Sequence, residues 1–194
     1  MKTESPEPHV HGARSSKQLS KATWPDFEEF FAANNGVWGG CWCMFFHAPE
    51  KWDVKQYQRN RKAKHSLVNE GHAHGTLVYC GQDPVGWCQF GPKEELPRID
   101  RRKGYTPTAN DIWRITCFFI SRTHRKMGFA ELAVKESVAS MKDLGVTSIE
   151  AYPVEGKLSA SLLWSGTPKL FEEAGFSPVR PLGKSSWVYS LSTR

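Results

Sequence analysis

The chain has 194 residues, 39% hydrophobic and 24% charged, with 8 Trp and 11 Phe, the size of one domain that buries roughly 70% of its unfolded surface. The formal net charge of +6 and the pI near 9.1 favour anionic ligands, either a phosphorylated cofactor or nucleic acid. Residues 1–18 contain no apolar run and so are neither a signal peptide nor a membrane span, and the 5 cysteines lack disulfide-framework spacing, which fits reduced thiols in the cytoplasm.

Residues 1–18 mix Ser, Pro, His, Gly and both signs of charge and read as a disordered leader, followed by a single domain over 19–194. A helix is expected over 23–34, with Thr23 as cap, Pro25 in the first turn, and Phe27, Phe30 and Phe31 as its apolar stripe. Gly36, Gly39 and Gly40 break it, and residues 41–46 read as an apolar strand with Cys41 and Cys43 on one face, Trp42 and Met44 on the other. A Cys-x-Cys pair without a second cluster is poor zinc spacing, so core packing is preferred there and no metal site is expected.

Residues 52–70 read as a second helix whose cations, Arg59, Arg61, Lys62 and Lys64, form either a solvated face or a footprint for RNA or another polyanion. Two strands over 75–80 and 85–90 meet at the turn Gly81, Gln82, Asp83, Pro84. Residues 91–110 are highly charged and aperiodic, an exposed loop able to cover a substrate site.

The most informative stretch is 113–144. Ile115, Cys117, Phe118, Phe119 and Ile120 make a strand covered on both faces, and Phe129, Leu132, Ala133, Met141 and Leu144 give the following helix an apolar side closed by Gly145. Between them lies a basic turn, Arg125, Lys126, Met127 and Gly128. The first N–H groups of a helix lack helical partners and attract anions, and Gly128 and Ala130 let a phosphate approach the backbone closely. A strand feeding such a cradle suggests a nucleotide-type ligand. Residues 147–152 form a further strand ended by Pro153, Pro168 opens the regular part of a last helix within 159–174, and 186–191 is a closing strand.

The run Arg125, Lys126, Met127, Gly128, Phe129, Ala130 resembles the Arg/Gln-x-x-Gly-x-Gly/Ala motif of the GNAT superfamily of acyl-CoA-dependent N-acyltransferases. Leu170, Phe171, Glu172, Glu173, Ala174, Gly175 and Phe176 resemble the end of that family's last helix, and the resemblance runs from about residue 75 to the C-terminus. It implies an α/β fold with a mixed, mostly antiparallel central sheet flanked by helices, and a splayed strand pair forming the CoA cleft. It implies acetyl-CoA or another acyl-CoA as co-substrate, with the backbone of Phe118, Phe119 and Ile120 on the pantetheine arm and residues 125–130 (Arg125, Lys126, Met127, Gly128, Phe129, Ala130) on the pyrophosphate. A backbone N–H of that strand would polarise the thioester carbonyl.

The family's usual proton donor, a tyrosine of the last helix, is matched here by Phe171, which cannot donate. Glu150 and Tyr152 share one strand face and are candidates for base and acid, against the alternative of a satisfied strand carboxylate and a half-buried tyrosine. His124 reads as a turn residue, and Cys117 as a poor nucleophile because an apolar strand raises its pKa. The leading expectation is transfer of acetyl or another short acyl group to an amine of a small molecule or peptide. Trp87, Phe90, Trp113 and Trp164 would permit an aromatic or apolar acceptor. The alternatives are a GNAT-fold enzyme using aminoacyl-tRNA as acceptor or donor, held by the basic helix, and a noncatalytic acyl-CoA-binding regulatory module. No membrane partner is expected, and a homodimer is permitted.

Overall fold

A computed structural model describes residues 12–48, 52–156 and 163–193. The leader expected over 1–18 lies outside it up to residue 11. From Arg14 to Gln18, however, the chain is a strand, β1, paired antiparallel with β2 (His74–Cys80). Its sequence, RSSKQ, has no apolar residue, so hydrophobic alternation could not reveal it.

Seven strands form one sheet in the order β1-β2-β3-β4-β5-β7-β6, with β3 (Asp83–Pro92), β4 (Trp113–Ile120), β5 (Ser148–Ala151), β6 (Ser177–Leu182) and β7 (Ser186–Ser192). Every pair is antiparallel except β4 and β5, which the crossover helix α3 (Phe129–Asp143) joins in parallel. β6 contains Pro178 and Pro181 and sits at the sheet edge, the place where missing backbone donors are tolerated.

Helices cover both faces. On one face α1 (Trp24–Ala33) and α2 (Tyr57–Glu70) bury Phe27, Phe31, Trp42, Leu77 and Trp87. On the other, α3 and the short α4 (Pro168–Glu173) cover Val78, Phe90, Ile115, Phe118 and Ile149. Thr167 caps α4, its Oγ1 accepting from the Leu170 N–H at 3.3 Å, and Pro168 fills the first position, where no donor is needed. Thr23 precedes α1 but does not cap it: its hydroxyl donates to the Gln18 carbonyl at 2.8 Å, tying α1 to β1.

Other expectations change as well. Residues 41–46 are turns rather than a strand: Trp42 and Cys43 both lie in the left-handed region, with φ near +50°. The segment is apolar because it fills the space beneath α1 and α2, where Trp42 packs on Phe31 and Tyr57. Leu144, expected on the buried side of α3, falls just beyond the helix and is 59% exposed.

The basic run on α2 is not one solvated face. Arg61 pairs with Glu28, Arg59 lies over the Trp52 ring, and Lys64 is fully buried. Lys64 Nζ reaches His47 Nε2 at 2.9 Å, which also accepts from Gln89 Nε2 at 2.8 Å, while His47 Nδ1 donates to the Glu95 carbonyl at 2.9 Å. Burial holds His47 well below its ordinary pKa and lowers Lys64 to about 8.

Candidate active site

β4 and β5 pair only from Trp113↔Ile149 to Ile115↔Ala151. Beyond that point they separate. The cause lies partly in β4 itself: Gln89 pairs with Cys117 and Phe90 with Ile115, leaving Thr116 as an extra, bulged residue. Pro153 follows two residues after the last paired position, and its carbonyl accepts from Trp187 of β7 at 3.1 Å, so the end of β5 leans away from β4.

One end of the resulting cleft is the turn before α3. Gly128 is the residue before the helix, at φ +77°, and Lys126 is also left-handed, at φ +61°. Leu132 N–H is the first to find a helical carbonyl, that of Gly128, leaving the N–H groups of Phe129, Ala130 and Glu131 free of helical partners. Phe129 buries its ring in the α3 core, so only its backbone can meet a ligand. Arg125 folds back, its Nε donating to the Ile120 carbonyl at 3.2 Å.

Sequence reasoning missed a cation here. A Cβ on Gly128 would stand 2.8 Å from Arg14 Nη1, and the Arg14 guanidinium lies 5.3 Å from the centre of the Phe129 ring. Arg14 comes from β1, inside the stretch read as a leader. Free N–H groups, a glycine with no side chain and this guanidinium suit a pyrophosphate.

Along β4, alternation turns the N–H groups of Phe118 and Ile120 toward the cleft, while Phe119 faces β3 through its pairing with Trp87. Phe118 N–H already has a partner, the Trp164 carbonyl at 2.6 Å, and a pantetheine carbonyl would have to displace it. Ile120 N–H lies further along the same edge.

The other end of the cleft is a cavity of about 710 Å³ bounded by Phe45, Phe46, Trp164, Thr116, Tyr152 and the arginines of residues 98–102. Of the four aromatics expected to serve an acceptor, only Trp164 lines it. Trp87 and Phe90 are buried in opposite cores, and Trp113 packs on His74. The loop over 91–110 is anchored rather than freely exposed: Leu96 and Ile99 are buried, and Asp100 takes both terminal nitrogens of the buried Arg114 at 2.5 and 3.1 Å.

Glu150 and Tyr152 do share a face and meet beneath this cavity. Glu150 is fully buried and accepts from Tyr152 Oη at 2.7 Å, Tyr105 Oη at 2.6 Å and Thr108 N–H at 2.6 Å. Burial raises the Tyr152 pKa well above its ordinary value, so the phenol stays protonated at neutral pH. Arg114 Nη2 donates to Tyr105 Oη at 3.0 Å, extending the network across the sheet. Tyr105, in the loop, gave no periodic signal by which to find it.

The remaining candidates stand elsewhere. Phe171 is fully buried against Phe118 and Phe176. His124 Nδ1 is tied to the Ser121 and Thr123 hydroxyls at 2.7 and 3.0 Å. Cys117 lies 3.4 Å from Cys43, and that hydrogen bond together with burial raises its thiol pKa, which disfavours a nucleophilic role.

The family model of the GNAT acetyltransferases matches residues 18–161. Curated proteins give no match. Similar solved structures include an N-acetyltransferase of Staphylococcus aureus at TM-score 0.57 and 11% identity, covering 94% of this chain and 99% of that one. Arabidopsis thaliana NAA60 in complex with acetyl-CoA aligns at TM-score 0.54 and 14% identity, over 93% and 99%. The ribosomal-protein-S5-alanine acetyltransferase of Vibrio fischeri aligns at 0.53 and 11%, over 92% of both chains. At these identities the structures speak for the fold alone. With its sequence matched from 18 to 161 as well, the chain belongs to the GNAT acetyltransferase family.

Proposed function

We propose that this protein transfers an acetyl or other short acyl group, not an aminoacyl group, from acyl-CoA to an amine by direct attack. The observation that carries this reading is the opening of β4 from β5 immediately after Ile115↔Ala151, with an anion cradle at one end and a cavity at the other. Acyl-CoA supplies a thioester whose C–S bond breaks as the C–N bond forms.

Arg14 and the N–H groups of residues 129–131 bind and orient the phosphates, and the edge of β4 at Phe118 and Ile120 directs the acyl arm along the cleft. An amine attacks only when neutral, so its proton must leave and one must reach the departing sulfur. Tyr152 borders the cavity with its proton held toward Glu150, at 2.7 Å. We assign Tyr152 as the donor to sulfur. Glu150 holds that hydroxyl in position and takes the amine proton through it or through water. Because Glu150 is buried under Tyr152 and Tyr105, it acts on a substrate through these hydroxyls or a water and not by direct contact.

The acceptor class is an amine of a small molecule or a peptide. The tRNA reading gains nothing from α2, where Lys64 is buried and Arg61 is paired. Unpaired Cys41, Cys43, Cys80, Cys88 and Cys117 support a reducing compartment such as the cytoplasm, and among the described residues no helix is long and apolar enough to cross a membrane. The test is release of CoA thiol from acetyl-CoA in the presence of an amine panel. Amine-dependent release supports the reading; acetyl-CoA binding with no amine-dependent release supports a noncatalytic module instead.

A further inference from the structure

The acceptor cavity carries a consistent charge. Arg98, Arg101 and Arg102 border it, and no described Asp or Glu does. Of the acids beside it, Asp100 is forked onto Arg114 and Glu150 accepts its three donors beneath Tyr152, while Glu155, next to the lining Val154, is exposed and forms no ion pair among the described residues. The arginines sit on a supported turn, with Ile99 buried between them and Arg98 Nη1 donating to the Ala48 carbonyl at 3.1 Å.

Arg102 is half-buried, and among the described residues its side-chain hydrogen bond runs to a carbonyl, that of Leu182, at 3.0 Å. Burial accordingly lowers its pKa, and no carboxylate of the described residues offsets the desolvation. Arg101 is exposed and forms no ion pair among the described residues. A protonated amine alone would be repelled from such a cavity. One that carries an anionic group is held by it, and the same positive field favours the neutral, attacking form of its nitrogen. The CoA phosphates do not account for these cations, since the cradle residues 125–130 and Arg14 are absent from the cavity wall.

Resting on the acyltransferase reading, we infer that the acceptor is an amine bearing a carboxylate, with Arg101 and Arg102 holding the carboxylate while Phe45, Phe46 and Trp164 cover its apolar part.

The test uses the full chain saturated with CoA or acetyl-CoA. The probes are the twenty standard amino acids and a set of acidic tripeptides, each paired with its neutral amide. Binding to the CoA complex and turnover with acetyl-CoA are both measured. At least one carboxylate-bearing probe is expected to exceed its amide by about tenfold or more in affinity and kcat/KM. Arg101→Gln combined with Arg102→Gln should bring that ratio close to one, and raising salt should shrink it in the unaltered protein. Equal use of acid and amide overturns the inference, as does failure of every carboxylate probe to bind. Either result leaves the cofactor assignment standing if acetyl-CoA still binds; failure to bind acetyl-CoA overturns the reading beneath it. Wild-type pair ratios decide the question even if the double variant does not fold.

Discussion

At the end where α3 begins, the cleft is made mostly of backbone, from one turn and the first residues of the helix. At the cavity end it is made of side chains from segments far apart in the chain, Phe45 and Phe46, Arg98 to Arg102, Tyr152 and Trp164. A backbone site must be written locally, because the glycine, the small residue and the helix start have to be neighbours. A side-chain site can draw on any segment that the topology brings near. The two ends should therefore respond differently to substitution.

The largest effect is expected at Gly128. A tryptophan there would be strained at φ +77° and would occupy the space of Arg14. Calorimetry should find acetyl-CoA affinity reduced by at least about 100-fold, about 2.7 kcal/mol, with the circular dichroism spectrum retained. Unchanged affinity would remove the cradle.

At the other end, Tyr152→Phe should lower kcat by about 100-fold while the KM for acetyl-CoA moves little. Equal turnover would reduce Tyr152 and Glu150 to a buried structural pair. Back at the cradle, Arg14→Ala should weaken acetyl-CoA binding by about tenfold, less at high salt. An undiminished affinity would mean that Arg14 faces solvent in the complex.

The smallest effect on chemistry and the clearest on stability is expected at Lys64, outside the cleft. Its folded pKa of about 8 lies below the ordinary lysine value of 10.5, so between these values the unfolded chain binds more protons. Its contribution therefore makes stability rise with pH from about 8 to 10.5, and below about 8 the full penalty of burying the charge remains. Lys64→Met should raise stability at pH 7 by about 1 kcal/mol or more and flatten that rise, as read by urea unfolding at several pH values. A destabilised variant with an unchanged pH slope would show that the ammonium is well accommodated.

The same division governs what could be read from the sequence. The hairpin of β2 and β3, the β4-turn-α3 unit and Pro168 at the start of α4 carry local signals, periodicity, a glycine or a proline, and were legible. β1 and β6 were not, since one lacks apolar residues and the other contains two prolines. Residues 41–46 misled because an apolar run that plugs a core looks like a strand. In the site, the sharing of one face by Glu150 and Tyr152 followed from their spacing, but Tyr105 closing over them did not. Nor could any local pattern place Arg14 over Gly128, because strand pairing sets that contact across more than a hundred residues.

The most direct test of the central claim is calorimetric titration of the purified protein with acetyl-CoA at two salt concentrations. One-to-one binding that weakens as salt rises is predicted, because on the proposed reading Arg14 and the α3 N-terminus would meet the phosphates. Absence of binding at millimolar acetyl-CoA would contradict it and leave the opened strand pair without its ligand.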